Sequence, residues 1–406
     1  MTNKIKIGIL KETKTPPDRR VALPPKQVKI LMEKFDNVEV VVQPSDIRCF
    51  KDEEYTKLGI ILQEDISNCD LLIGVKETKI PTIIPNKTYI EFAHIAKKQP
   101  HNLPLIRAFT ANKNTLIDYE YFTDKKGVRL VAFGHWAGIV GAYNALRALS
   151  IKEGLTALKP ANQMHDYSEL KAVLQTVKIP AKKFIVTGGG RVAGGAVEIL
   201  THIGASEVTT EDFLGKSFNT SVYCRLDPWH YAKHKKGNEF VWDNWVNNPM
   251  DFESTFLPYT KKADVMIACH YWDYRSPHFF TLEDMASPDF NISVIADVSC
   301  DIPGPIPSTI KASTIADPFY DFNPKTQKEE PAFSRKGNVT MMTIDNLPGE
   351  LPRDASEFFG NLLIEKVLPH ILCDDCEQVI ERATILKNGI LTKNYSYLQD
   401  FLDGRE

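Results

Sequence analysis

Residues 184–200 read FIVTGGGRVAGGAVEIL, a short apolar run that breaks into three glycines and resumes with helical spacing. The string requires a buried strand ending near Thr187, a turn only glycine tolerates, and a helix whose first amides are uncovered. Read as G-x-G-x-x-[G/A], its positions are Gly188, Gly190 and Ala193, with Gly194 and Gly195 just behind. In a dinucleotide-binding turn the first glycine permits the tight bend and the second lets the backbone approach a pyrophosphate. Small residues at 193–195 allow close helix–strand packing, and the helix N-terminus faces the phosphates. The same string also suits a glycine-rich βα turn that holds no ligand. On the dinucleotide reading, Gly188, Gly190, Arg191 and Val192 bind the cofactor. The residue closing the second strand then meets the adenosine ribose, an acid there favouring NAD and an Arg nearby admitting NADP. Glu211 and Asp212 in VTTEDFLGK are the candidates, with Lys216 close by. The cofactor is therefore NAD or NADP.

The rest of the chain repeats this alternation. KIKIGIL, VEVVVQP, DLLIGVK, KTYIEFAH and NTLIDYE are short apolar runs with helical connectors, such as KQVKILMEKF, among them. Such alternation builds a parallel sheet flanked by helices. A long helix from about His135 to Gly154 leads into a second series: KKFIVTG, SEVTTED, DVMIACHY and ISVIADVSCD as strands. The segment from Arg225 to Thr260 is polar and aromatic and reads as an insertion in that second sheet. A chain of 406 residues exceeds what one core supports. The expected architecture is α/β, with two Rossmann-like domains carrying parallel sheets. The first domain is expected to be discontinuous, residues 1–135 plus 340–406, and to enclose the dinucleotide-binding domain, 136–339.

Forty-nine basic residues against 52 acidic ones give a net charge of −3, which argues against nucleic-acid or anionic-membrane partners. The apolar stretch of MTNKIKIGIL is too short for a signal peptide. The window Val131–Leu149 carries His135, Asn144 and Arg147, so it reads as a buried helix and not a membrane span. A cytoplasmic location is expected, with small-molecule substrates and either a monomer or a homo-oligomer. Seven scattered cysteines fit reduced thiols. Cys373 and Cys376 form a lone CxxC with only His370 near, too little for a zinc site, and no metal is expected.

Polar residues end the apolar runs of the first series: Lys76 after DLLIGV, His94 after TYIEFA, Glu120 after TLIDY. In an open α/β sheet such strand ends face the ligand crevice. A Lys and a His there can exchange protons with an amine or a water if burial and mutual repulsion lower the Lys pKa, with Glu77 and Glu120 opposing that shift. Each residue taken alone could equally be a solvated strand end, and spacing does not name a reaction.

LKETKTPPDRRVALPP resembles the N-terminal signature shared by alanine dehydrogenase, the transhydrogenase α subunit and lysine-forming saccharopine dehydrogenase. GVKE, FAHIAKKQ, LIDYEYF, VRLVAFGHWAGIVGAYN, IADVSCD and MTIDNLPGELPRDASEFFG are similar to the saccharopine-forming branch, above all the lysine–ketoglutarate reductase portion of bifunctional aminoadipic semialdehyde synthase. The similarity runs through nearly the whole chain. It implies reductive condensation of lysine with 2-oxoglutarate using NAD(P)H, or the reverse. It further implies Lys76 and His94 as the proton-transferring pair, Glu77 and Glu120 as acids that modulate them, and Arg20 and Arg129 as substrate arginines. Lys14, placed with the substrate-binding cations, and Asp345, placed with the cofactor, match a Lys and an Asp near the cofactor in the family. The segment 225–260 departs from the compact fungal enzymes of the family, and no saccharopine-oxidising domain follows, so one activity is expected. Alternatives on the same scaffold are another amino-acid dehydrogenase such as alanine dehydrogenase, a transhydrogenase subunit, and a non-catalytic NAD-binding module.

Overall fold

In the computed structural model, which describes residues 4–405, the chain forms two compact units: Met1–Phe133 with Pro352–Glu406, and Gly134–Leu351. Among the described residues, the first unit holds one eight-stranded sheet. Its parallel strands lie in the order Thr115–Asp118, Thr88–Glu91, Leu71–Ile73, Ile5–Ile9, Val38–Val42, Ile61–Leu62. Two late strands, Thr384–Lys387 and Ile390–Leu391, extend it antiparallel beyond Thr115–Asp118. The β-branched run Val38–Val42 and the fully buried Leu71–Ile73 suit a sheet covered on both faces. The order reverses between Ile5–Ile9 and Leu71–Ile73, so a crevice opens beyond their C-terminal ends.

The helix Pro25–Lys34 starts with proline, whose missing N–H costs nothing there, and buries Val28 and Leu31. It packs against the helix Pro352–Lys366 of the returning segment. A Cβ at Gly360 of that helix would lie 2.9 Å from Gln27 Cγ and 3.1 Å from the Ala22 carbonyl. Phe359 stacks on Phe133 with ring centroids 4.3 Å apart.

The second unit's sheet, again eight-stranded among the described residues, runs Ser206–Glu207, Val222–Leu226, Lys183–Thr187, Val265–Ala268, Val294–Asp297, Val339–Met342, Phe319–Asn323, Lys328–Glu330. Phe319–Asn323 runs antiparallel to both of its neighbours, Val339–Met342 and Lys328–Glu330. Its switch point lies between Lys183–Thr187 and Val265–Ala268, just above the glycine turn. The helix Gly134–Lys152 is buried on nearly all sides. It lies against the glycine-opened helix Arg191–His202 so closely that a Cβ at Gly138 would overlap the Val192 carbonyl. One at Gly195 would overlap the His135 carbonyl. Gly195 thus serves helix–helix contact, where helix–strand packing was expected.

Two expectations need correction. Thr340–Met342, assigned from sequence to the first unit, belong to the strand Val339–Met342, which pairs with Val294–Asp297 and Phe319–Asn323, so the boundary falls at Leu351. The supposed second strand SEVTTED supplies only Ser206–Glu207 at the sheet edge, and its TTED begins the helix Thr210–Gly215. Val222–Leu226 takes the place beside the glycine strand, so the polar-aromatic segment opens inside the sheet and not beyond it.

Candidate functional site

The crevice of the first unit is built from loops that follow Ile5–Ile9, Leu71–Ile73, Thr88–Glu91 and Thr115–Asp118. Glu12, just past the first strand, accepts the amides of Val75 and Lys76 at 2.6 and 2.9 Å, fixing the backbone that carries Lys76. Burial pushes the Glu12 carboxyl up to about 7. Lys76 is half-buried, and burial first, then Arg20 and Lys14, lowers its pKa. The next residue, Glu77, receives Lys14 Nζ on one oxygen at 2.8 Å and meets His94 Nδ1 with the other at 2.7 Å. Burial alone would raise Glu77, but the bonds from His94 and Lys14 outweigh it and hold the carboxyl at about 2. An ionised Glu77 can only accept, so Nδ1 carries the proton toward it and Nε2 is left to exchange protons.

His94 has φ of +52°, an uncommon conformation for a residue with a side chain. It is clamped by its amide donating to Asp118 Oδ2 at 3.1 Å and its carbonyl accepting from Asn102 at 3.1 Å. The other oxygen of Asp118 receives the Glu120 amide at 2.8 Å. Burial lifts Asp118 to about 6. Glu120 accepts from Arg129 at 2.8 Å and pairs with Lys97 at 3.0 Å. Burial would raise it, but the two cations hold it below the usual range. Arg20 is buried, donates to both oxygens of Asp18 at 3.0 and 2.6 Å, and lies over the Phe133 ring at 4.3 Å. The pair holds Asp18 well below the carboxylate range despite its burial. Thus Lys14, Lys76, Glu77 and His94 come together with Arg20 near Lys76, while Glu120 and Arg129 form a neighbouring ion pair joined to His94 through Asp118.

Glu12, Asp18, Glu91 and Asp118 were not singled out from sequence. Glu91 is fully buried, and one of its oxygens accepts both the amide and the hydroxyl of Thr78, at 3.1 and 2.6 Å. Burial raises it to about 8. The available signal was an acid inside or just after an apolar run, in GILKE, YIEFA and TLIDY.

In the second unit, Gly188 has φ of +91°, and a Cβ there would come within 3.0 Å of the Cys269 carbonyl and of His270 Cα. Above Gly190 the space is open to 4 Å. This turn opens into a cavity of about 770 Å³ lined by Gly188–Val192, Asp227, Tyr231, Trp242, Trp245 and the loop Cys269–His270. The volume suits a cofactor-sized ligand. Thr187 Oγ1 accepts the Cys269 amide at 3.1 Å, which directs its own proton to His270 Nδ1 at 2.8 Å. Burial pushes His270 down to about 3, so the ring is neutral with Nε2 protonated. That buried Nε2 finds no partner among the described residues. A glycine cradle that side chains would fill, a helix start and an orphaned donor fit a dinucleotide phosphate group.

Gly188, Gly190, Arg191 and Val192 line this cavity, whereas Glu211, Asp212 and Asp345 do not. Asp212 is half-buried, its amide donating to Thr209 Oγ1 at 3.2 Å and its carboxylate paired with Lys216 at 2.8 Å. Glu211 shares its helical turn. The acid that closes the strand beside the glycine strand is Asp227, and a Cβ at Gly189 would lie 2.6 Å from its Oδ1. Sequence reading missed it because an extra edge strand intervenes. Asp345 is exposed, in the turn after Val339–Met342. Among the described residues no cluster of three His, Cys, Asp or Glu is placed to hold a metal ion, and no helix is long and apolar enough to cross a membrane. The described cysteines are free, and Cys373 and Cys376 are exposed just past the helix Leu368–Leu372.

Residues 8–140 match the family model for the alanine dehydrogenase/PNT N-terminal domain, and residues 156–399 match the one for its C-terminal domain. The alpha-aminoadipic semialdehyde synthase of Mus musculus, described as mitochondrial, is 28% identical over 96% of this chain. The chain spans 47% of that relative, about half its length. The saccharopine dehydrogenase [NAD(+), L-lysine-forming] of Emericella nidulans is 29% identical over 89% of this chain and 91% of its own. Among solved structures, an L-alanine dehydrogenase superposes with a TM-score of 0.67 at 16% identity, covering 99% of this chain and 100% of that one. The transhydrogenase of Sinorhizobium meliloti gives 0.60 at 16% identity, covering 95% and 98%. These last two establish the fold, α/β with two parallel-dominated sheets.

Proposed function

The chain belongs to the alanine dehydrogenase/PNT family, and on that premise we propose that it is a nicotinamide-dependent oxidoreductase joining L-lysine and 2-oxoglutarate into saccharopine, or running the reverse. The observation that carries the reading is the linked set Lys14, Glu77 and His94 with Lys76 held beside it on Glu12. Condensation of an amine with a keto acid passes through a carbinolamine that must lose water, so protons have to be taken up and returned at one place. Lys76, with its pKa lowered by burial and by Arg20 and Lys14, can act as base toward the amine. His94, oriented through Nδ1 by ionised Glu77, offers Nε2 to the departing hydroxyl. Arg20 and Arg129 are the cations suited to substrate carboxylates, Arg20 prepositioned by Asp18 and Arg129 by Glu120.

When bound, the dinucleotide supplies the hydride that reduces the imine. The residues suited to hold it are Gly188–Val192, with His270 and Asp227 beside them. Asp227 ends the strand next to the glycine strand, the place from which an acid bonds the ribose 2′-hydroxyl. That supports NAD over NADP. A cytoplasmic location belongs to the same proposal. The names of the relatives favour lysine and 2-oxoglutarate over pyruvate and ammonia. Mass spectrometry of the product tests this: saccharopine from lysine, 2-oxoglutarate and NADH is expected, while alanine from pyruvate and ammonia in its place would move the chain to the alanine dehydrogenase reading.

A further inference from the structure

After Asp227 the chain leaves the sheet. Ala232–His234 pairs antiparallel with Phe252–Ser254, and between them lies the helix Trp242–Asn247. Trp245 anchors this element, packing edge-on against Phe252 at 5.2 Å and Tyr231 at 6.5 Å between centroids. Trp242 on the same helix is 53% exposed and meets the edge of Trp229 at 6.3 Å. Both indoles line the cavity that holds the glycine turn and Asp227. A half-exposed indole on a helix held by the ring contacts of Trp245, in the wall of a phosphate cradle, is a platform on which a flat base can stack. Position tells which base. Asp227 stands where an acid takes the adenosine ribose, and the aromatic element starts at the next residue, Pro228.

We propose that Trp242, with Trp245 behind it as an anchor, forms the adenine subsite of the dinucleotide site. The inference rests on the dinucleotide reading above and adds to it the group that recognises the base. The nicotinamide half owes nothing to Trp242.

Calorimetric titration of the full chain with NADH, ADP-ribose and reduced nicotinamide mononucleotide separates these claims. W242A is expected to weaken NADH and ADP-ribose by on the order of tenfold, the effect of one base–aromatic stack, and to leave the mononucleotide unchanged. W242F is expected to recover most of the loss, and W242L, which keeps the bulk without the aromatic face, to behave as W242A does. ADP-ribose affinity equal to wild type in W242A and W242L overturns the proposal, as does equal weakening of all three ligands. Wild-type protein that takes up neither NADH nor ADP-ribose overturns the dinucleotide reading, and this subsite with it.

Discussion

Glu91 is a fully buried carboxyl in a parallel strand, hydrogen-bonded through one oxygen and without a partner on the other among the described residues. Burial lifts it from the usual 4.5 to about 8, so the folded chain keeps a proton that the unfolded chain releases. Between those values the folded state binds more protons than the unfolded one, and stability falls as pH rises through the window. E91Q, which mimics the protonated acid, is expected to lose less melting temperature than wild type between pH 5 and pH 8. Identical pH profiles would show that Glu91 is ionised at no cost. At Lys76 the expectation concerns turnover. K76M should lower kcat by about 10²-fold or more, the usual scale of a lost acid–base group, with the Kd for NADH unchanged. Stopped-flow turnover together with NADH titration checks both halves. Lys76 and His94 were legible because each ends an apolar run, and such ends face the crevice, with Glu77 read as the acid adjacent to Lys76. Glu12 and Glu91 were not, since the amides they bond lie 63 and 13 residues away and no local pattern announces them.

Among the elements, the glycine turn was legible in full, because positive φ and an uncovered helix start leave few residue choices. The strand beside it was not. Ser206–Glu207 precedes Val222–Leu226 in sequence yet lies outside it in the sheet, so counting strands put the ribose acid at Glu211 and Asp212 and passed over Asp227. D227N is expected to shift the ratio of NADPH to NADH affinity by roughly tenfold or more, since like-charge juxtaposition with a 2′-phosphate costs several kcal/mol. An unchanged ratio would remove Asp227 from cofactor choice. The paired helices Gly134–Lys152 and Arg191–His202 allow a stability test that is independent of any ligand. An added methyl at Gly138 overlaps the Val192 carbonyl, which is backbone and cannot swing aside. G138A should therefore destabilise by about 3 kcal/mol or more in thermal or urea unfolding, the upper range of overpacking. G190A, where space is open, is expected to cost far less.

Over the whole molecule, the sequence carried the two-sheet α/β architecture, since apolar runs alternate with helical segments in both halves. In the first unit the late strand Thr384–Lys387 pairs with Thr115–Asp118. The crossing point was misplaced by a strand because VTMMTIDNLPGELPRDASEFFG reads as one block, although Val339–Met342 completes the second sheet and Pro352–Lys366 packs in the first unit. The proposed reaction is not written in periodicity or strand ends; the proposal rests on the relatives' names and on the hydrogen-bonded set of Lys14, Glu77 and His94 with Lys76 beside it. The most direct measurement follows NADH oxidation by the full chain with lysine and 2-oxoglutarate supplied together and then singly. Oxidation that needs both substrates, and that K76M loses, is the expected result. Oxidation supported by either substrate alone, or none from protein that binds NADH, would contradict the assignment of reductive condensation to this site.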